Sequence, residues 1–186
     1  MALRLVLILV ALVSAGAASA DQRFAPLDQP RTVAIMRHAL APGTGDPARF
    51  RLGDCTTQRN LDAVGRKQAR AIGAAIRTSG VRIDGVVTSQ WCRCRETAAL
   101  LDLGPVQDLP DLNSFYEDRS TADAQTLGLR RFLTGLPADR TIMLVTHQVN
   151  ITGLTGEWVR SGEVFIIRVD DAGEVKILDR YLIPAR

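Results

Sequence analysis

The stretch TVAIMRH, residues 32–38, places an arginine and a histidine directly after a run that favours a β-strand. A short, apolar, β-branched run that ends abruptly is typical of a buried parallel strand. A second run, Thr141–Thr146 (TIMLVT), is followed in the same way by His147. The chain has only 2 histidines. Because parallel strands end at one edge of a sheet, where ligands bind, we expect His38 and His147 to converge there.

Strands and helices are predicted to alternate along the rest of the chain. The first predicted helix ends at Gly80 and has an apolar face made of Leu61, Val64, Ala69, Ile72 and Ile76. The second is Arg93–Leu101, with Ser89 as its N-cap. The third runs from Ser120 or Thr121 to about Leu136. The further predicted strands are Asp84–Thr88, Glu163–Val169 and Val175–Ile183. This order predicts an α/β fold, a three-layer α/β/α sandwich whose mostly parallel central sheet ends in an antiparallel hairpin.

Composition narrows the class of protein. The chain has 186 residues, of which 46% are hydrophobic and 23% charged, enough apolar material for the core of one globular domain. The formal net charge of +3 is spread along the chain without blocks of lysine and arginine. A nucleic-acid partner is therefore not expected.

The first 20 residues have the pattern of a secretory signal peptide. Arg4 precedes the apolar run Leu5–Val13, and an Ala-Ser-Ala sequence stands before Asp21. An uncleaved anchor is the alternative, although the run is short for a bilayer. We expect residues 1–20 to be removed, residues 21–31 to form an extended lead-in, and residues 32–186 to form the domain. The expected location is periplasmic or secreted, with no stable membrane anchor.

Three cysteines would meet an oxidising compartment after export. Cys92 and Cys94 lie within one helical turn and are not expected to pair with each other, so Cys55 is expected to pair with one of them. Three buried, reduced cysteines are the alternative. Without a neighbouring histidine ligand the three thiols make a poor zinc site, and no metal is expected.

Two arginines lie where they can reach the predicted histidine crevice. Arg37 precedes His38, and Arg93 begins a helix that follows a strand. A guanidinium group matches the oxygens of a phosphate, and the N-terminus of a helix favours the same anion. The arrangement indicates a site for a phosphoryl group, whose transfer depends mainly on positioning and on charge stabilisation.

The sequence resembles the histidine phosphatase (phosphoglycerate mutase-like) superfamily over residues 32–155. Residues 35–39 (IMRHA) resemble its strand ending in Arg-His-Gly, and residues 89–98 (SQWCRCRETA) resemble Ser-Pro-Leu-x-Arg-Ala-x-Gln-Thr-Ala. Residues 61–69 follow the pattern Leu-x-x-x-Gly-x-x-Gln-Ala, and residues 144–147 (LVTH) match a strand ending in histidine. The four motifs stand in the order of the family.

The resemblance implies a phosphatase that hydrolyses small phosphomonoesters without a metal or an organic cofactor. His38 would take the phosphoryl group as phosphohistidine, and Arg37, Arg93 and His147 would hold the phosphate oxygens. Glu117 is the candidate general acid.

Several positions depart from the family pattern. Ala39 replaces the signature glycine, which leaves the backbone conformation there open. Asp118 competes with Glu117 as the general acid, and both carboxylates fit a solvated loop equally well. Thr44 stands where some members carry a phosphate-binding asparagine, although its loop fits a simple turn. Arg51 and Arg59 could extend the basic rim of the site, although a solvated surface position is expected for both.

The resemblance also bears on the cysteines and on the function. Cys94 takes the position of a small buried alanine, which favours a disulfide between Cys55 and Cys92. Two alternatives to a phosphatase for small phosphomonoesters remain. One is a non-catalytic module that binds phosphate, and the other is a phosphatase that acts on phosphohistidine in proteins. Trp91, Phe115 and Tyr116 could line a substrate mouth, although aromatic residues at the ends of elements more often belong to the core.

Overall fold

A six-stranded sheet forms the centre of the molecule, which a computed structural model describes over residues 22–186. The strands are β1 (Thr32–Arg37), β2 (Gly85–Thr88), β3 (Val106–Asp108), β4 (Ile142–Thr146), β5 (Glu163–Val169) and β6 (Val175–Leu182). The helices are α1 (Ala63–Ser79), α2 (Cys92–Leu101), α3 (Ala122–Thr134) and α4 (Gln148–Thr155). The expected signal peptide lies outside the described residues. No helix among residues 22–186 combines the length and the apolar character needed to cross a membrane.

The sheet is mostly parallel and is covered on both faces. Its order is β3-β2-β4-β1-β5-β6, and β5 alone among these strands runs against the others. One core packs α1 and α2 against the sheet, and the other packs α3 and α4 against its opposite face. The predicted three-layer α/β/α fold is therefore confirmed.

The two histidines follow neighbouring strands, as the sequence predicts. β1 and β4 pair in parallel up to Arg37 and Thr146, and the amide of His38 donates to the carbonyl oxygen of Thr146 at 2.9 Å. Since the ladder continues to the last residue of both strands, His38 and His147 leave the sheet side by side.

Two local predictions are wrong, and one helix boundary is shifted. Residues 22–28 form a 3₁₀ helix instead of an extended lead-in, because Phe24 and Leu27 turn into the core, where each is 1% exposed. The N-cap of α2 is Trp91 and not Ser89, whose hydroxyl accepts from the amide of Trp91 and bonds to His147. The third predicted helix ends at Thr134, two residues before the predicted Leu136, with Gly135 as its C-cap.

The Gly65 and Gln68 motif joins α1 to the loop that follows β1. A Cβ atom on Gly65 would lie 1.9 Å from the carbonyl oxygen of Leu40, so only glycine permits this approach. Gln68 accepts a hydrogen bond from the amide of Leu40 at 2.9 Å and donates to Ser161 at 3.1 Å. The motif thus holds the backbone just beyond His38 against the helix.

Gly65→Ala is expected to destabilise the protein by about 1–3 kcal/mol, because the overlap forces the backbone apart. The gain in helix propensity, at most about 1 kcal/mol, does not offset this cost. Urea unfolding at pH 7 measures the difference. The exposed Lys67→Ala on the same helix is the control and should change the free energy of unfolding by no more than about 0.5 kcal/mol. Equal stability of the two variants would show that the contact with Leu40 is unimportant.

Candidate active site

His38 is held in one tautomer at the end of β1. It is 1% exposed, and its Nδ1 lies 2.8 Å from the carbonyl oxygen of Ala39. A carbonyl oxygen can only accept, so Nδ1 carries the proton and Nε2 keeps its lone pair. Burial, followed by the positive charge of Arg93, holds the pKa of His38 well below its usual range. The imidazole is therefore neutral, as a nucleophile must be.

Arg93 links the two histidines. Its Nε donates to Nε2 of His38 at 3.2 Å, and its Nη2 lies 3.3 Å from Nδ1 of His147. Its position at the second residue of α2 brings the guanidinium to the edge of the sheet where β1 and β4 end. One edge of the fork, Nε and Nη2, thus faces the space between the histidines and fits two oxygens of one phosphate.

A chain of hydrogen bonds orients His147. Its Nε2 lies 2.8 Å from Oγ of Ser89, which lies 3.2 Å from Oδ1 of Asn113. Oδ1 of Asn113 also accepts from the amide of Gln90 at 2.9 Å, so the serine hydroxyl must donate to it. Ser89 therefore accepts from Nε2–H of His147, which leaves Nδ1 unprotonated and turned towards Arg93.

Arg37 supplies a second guanidinium to the same cavity. Its Nε is buried and has no hydrogen-bond partner within residues 22–186. A buried, unsatisfied donor of this kind is rare in folded proteins. Together with Arg93, it gives the space in front of His38 a strong preference for an anion.

Asp46, which the sequence did not single out, anchors Arg93 from the opposite side. Its carboxylate accepts from Nη1 of Arg93 at 2.8 and 3.1 Å and from the indole of Trp91 at 3.0 Å. Burial raises the pKa of this carboxyl, but the hydrogen bonds from Arg93 and from the amide of Arg59 outweigh it and hold the pKa below its ordinary value. Asp46 is thus ionised and fixes the outer nitrogen of the guanidinium.

Arg59 belongs to the site rather than to the solvated surface, which corrects the sequence-based expectation. Its Nε donates to the carbonyl oxygen of Gly45 at 2.8 Å, and its Nη1 donates to that of Ala41. Burial and the neighbouring Arg93 lower its pKa to about 10. Both bonds hold the loop of residues 41–46, which carries Asp46, against the cavity.

The cavity has a volume of about 600 Å³ and contains every predicted catalytic and substrate-binding residue. Thr44 and Glu117 lie in its wall, and Oε1 of Glu117 is 3.0 Å from the position that a Cβ on Gly45 would take. Asp118 also lines the cavity, but its carboxylate accepts from the amide and the hydroxyl of Ser120 at 3.0 and 2.6 Å. Of the two candidate acids, Asp118 is bonded to Ser120, whereas Glu117 has no such bond to its carboxylate within residues 22–186.

Ala39 is accommodated without strain. Its φ is not positive, its side chain is fully buried, and its amide donates to Oγ1 of Thr97 at 3.1 Å. The alanine therefore needs no left-handed backbone, and its amide serves to attach the loop to α2.

A disulfide joins Cys55 to Cys92, the residue before Arg93. It ties the segment after the cavity loop to the first turn of α2, where the guanidinium originates. Cys94 is a free, buried thiol, and burial raises its pKa to about 12. A protonated thiol of this kind fills space and is a poor nucleophile.

Stability should fall as the pH drops below about 6.5, the value at which histidines in the unfolded chain take up protons. Burial and Arg93 lower the pKa of both His38 and His147 in the folded protein, so the unfolded state binds more protons in this range. Urea midpoints between pH 7.5 and 5 measure the slope. His147→Gln should show a weaker dependence, and a slope equal to that of the wild type would contradict the account.

Asp46→Asn should lower the free energy of unfolding at pH 7 by about 3 kcal/mol, because Arg93 loses its buried partner. Since the folded pKa of Asp46 lies below its unfolded value, its contribution is complete above about pH 4 and disappears as the pH falls through the folded pKa. Urea unfolding of both proteins from pH 7 to pH 3 should therefore show the gap narrowing. A gap independent of pH would mean that the charge of Asp46 does not matter.

Comparison with known proteins agrees with this geometry. A family model described as histidine phosphatase superfamily (branch 1) matches residues 33–117. The solved structure of SixA from Nakamurella multipartitia is similar with a TM-score of 0.59 and 20% identity, over 83% of this chain and 98% of that one. YhfR from Bacillus stearothermophilus is similar with a TM-score of 0.58 and 17% identity, over 79% and 95%.

A third similar structure is the protein histidine phosphatase SixA complexed with tungstate, with a TM-score of 0.56 and 18% identity, over 80% of this chain and 95% of that one. No curated protein sequence matches this chain. The structural likenesses show a shared fold, and the family model covers the segment that carries Arg37, His38 and Arg93. Over residues 33–117, a little under half of its length, the chain is therefore similar to the histidine phosphatase superfamily.

Proposed function

We propose that the protein is an exported, metal-independent phosphatase that hydrolyses phosphomonoesters through a phosphohistidine at His38. The observation that carries this proposal is the state of His38: the hydrogen bond from Nδ1 to Ala39 leaves the Nε2 lone pair beside Arg93. A module that only binds phosphate has no need of a neutral, oriented nucleophile at this point. The Cys55–Cys92 disulfide supports export to an oxidising compartment, periplasmic or secreted.

In the binding step, the phosphoryl group would lie between the histidines and the two arginines. Nε and Nη2 of Arg93 and Nε of Arg37 would donate to its oxygens. Nδ1 of His147 is unprotonated in the resting site, so we expect it to take up a proton when the phosphate binds and then to donate. The same arginine charges would offset the negative charge of the transferring group, which is why full activity is expected in the presence of a chelator.

In the transfer step, Nε2 of His38 would attack phosphorus in line with the leaving oxygen. The N–P bond forms as the P–O bond to the leaving group breaks, and the leaving oxygen receives a proton from Glu117. Because Nδ1–H stays bonded to Ala39, the phosphohistidine keeps its orientation. Water, deprotonated by Glu117, would then attack phosphorus, break the N–P bond and release inorganic phosphate.

The burial of the histidines favours a small phosphomonoester over a phosphohistidine in a folded protein. His38 is 1% exposed and His147 is 3% exposed, so the phosphoryl group must enter the cavity to reach them. The side chain of a flexible peptide could do so, whereas a phosphohistidine on a rigid surface could not.

The function is tested by release of phosphate from phenyl phosphate between pH 5 and 8, with and without a chelator. Turnover in both conditions supports the proposal. Saturable binding of inorganic phosphate without turnover, unaffected by His38→Ala, would instead identify a binding module. Turnover that requires an added metal would contradict the proposed mechanism.

A further inference from the structure

An aromatic wall begins beside the proposed phosphate position. We define this wall as Phe50, Trp91 and Tyr116, which all line the cavity. The ring of Phe50 stacks on that of Trp91 with a centroid distance of 5.0 Å and an angle of 22°. Trp91 meets His147 edge-on at 5.4 Å. A group attached to a phosphate held by His147 therefore has aromatic surface directly next to it.

The arginine side chains that line the cavity already have hydrogen-bond partners or face the proposed phosphate position. Arg59 donates to two backbone carbonyl oxygens, and Nη1 of Arg93 is paired with Asp46. Nε and Nη2 of Arg93, together with Arg37, face the proposed phosphate position. Within residues 22–186, Arg59 is the one lining cation not assigned to the phosphate, and two of its three nitrogens donate to backbone carbonyl oxygens.

Two carboxyl side chains border the aromatic wall inside the cavity. The carboxylates of Glu117 and Asp118 line the cavity next to Tyr116. Arg119 lies over the ring of Tyr116, 5.9 Å from its centroid, but it lines a neighbouring cavity and not this one. A leaving group that carries a carboxylate or a second phosphate would thus approach the like charge of Asp118, whose bonds from Ser120 hold its pKa below the ordinary value, and this approach is unfavourable.

The cavity is also much larger than a phosphate ion. Its volume of about 600 Å³ lies in the range of sites that enclose a drug-sized molecule. The space beyond the phosphate position is therefore available to the leaving group, and its walls are aromatic with an acidic border.

We propose that this site selects phosphomonoesters whose leaving group is a flat, apolar ring without a second negative charge. The inference rests on the proposed function, since it assigns the leaving group of the same reaction. It predicts a preference for aryl phosphates over small acidic metabolites such as phosphorylated carboxylic acids.

Binding of non-hydrolysable phosphonates tests the inference separately from catalysis. Calorimetry should give phenylphosphonate an affinity about tenfold higher than that of methylphosphonate, because the ring packs on the aromatic wall. Among larger ligands, 4-carbamoylphenylphosphonate and 4-carboxyphenylphosphonate have nearly the same shape and differ in charge. The carboxylate should bind about threefold or more weakly.

Matched variants locate both effects. Phe50→Ala should reduce the preference for the phenyl ring, whereas Trp158→Ala, which removes an exposed ring outside this cavity, should not. Asp118→Asn retains a cap for Ser120 and should bring the affinities of the carbamoyl and carboxyl ligands closer together.

Equal binding of methylphosphonate and phenylphosphonate, or tighter binding of the carboxyl ligand, would overturn the inference while leaving the phosphatase untouched. Selective binding of the phenyl ring by a protein that shows no turnover would overturn the proposed reaction instead. If the protein binds neither the phosphonates nor inorganic phosphate, the reference ligand, both the inference and the proposed reaction are overturned.

Discussion

His38→Ala should lower kcat/KM for phenyl phosphate by at least about 10⁴-fold, because no other group in the cavity can replace the nucleophile. His147 cannot substitute for it, since its Nε2 donates to Ser89 and its Nδ1 is expected to take up a proton when the phosphate binds. The thiol of Cys94 is buried, and its pKa is raised to about 12. Steady-state release of phosphate, compared with the wild type at pH 6 and 7, measures the loss.

The His38→Ala variant should still bind inorganic phosphate, because Arg37 and Arg93 remain. This retained binding, together with an unchanged far-UV circular dichroism spectrum, separates a lost nucleophile from a lost fold. Residual activity above about one hundredth of the wild type would mean that another group, or water itself, attacks the substrate.

Arg93→Lys should reduce kcat/KM by about 10²–10³-fold although the positive charge is kept. The ammonium of lysine has no planar fork, so it cannot bond at the same time to Asp46 and to two phosphate oxygens. Because the Arg93 fork contacts the equatorial oxygens throughout the transfer, we expect kcat to fall as well as the affinity for phosphate. Kinetics with phenyl phosphate and calorimetry with inorganic phosphate measure the two effects.

Arg95→Lys is the matched control for this substitution. Arg95 lies two positions later on α2 and pairs with Asp108 at the surface, where its side chain is 42% exposed. Its replacement should change kcat/KM by less than about twofold, since exposed ion pairs contribute little. Equal losses in both variants would point to damage to α2 rather than to the loss of the phosphate fork.

The strands that carry the site could be predicted from the sequence because they are buried on both faces. Thr32–Met36 and Thr141–Thr146 read as continuous apolar runs, and β5 was predicted with the observed bounds. β3 escaped prediction, since it has only three residues, all exposed at the edge of the sheet, and Val106 is the one apolar residue among them. α4 also escaped, because its eight residues QVNITGLT include a glycine and several β-branched residues.

Asp46 shows why part of the site could not be predicted. It lies in a loop rich in glycine and proline, where a carboxylate normally faces solvent. Its burial depends on three partners that are distant in sequence: Arg93, Trp91 and Arg59. Ser89 gives a similar lesson, because its position before a helix predicts an N-cap, whereas the folded sheet offers it His147. In both cases a tertiary contact decided the role of the side chain.

The most direct test of the account is to trap the phosphoenzyme. The protein is mixed with phenyl phosphate carrying a labelled phosphoryl group, quenched in alkali, digested and mapped by mass spectrometry. We expect an alkali-stable, acid-labile label on His38 that is absent from His38→Ala. A label on any other residue, or rapid turnover with no trapped label at any quench time, would contradict it.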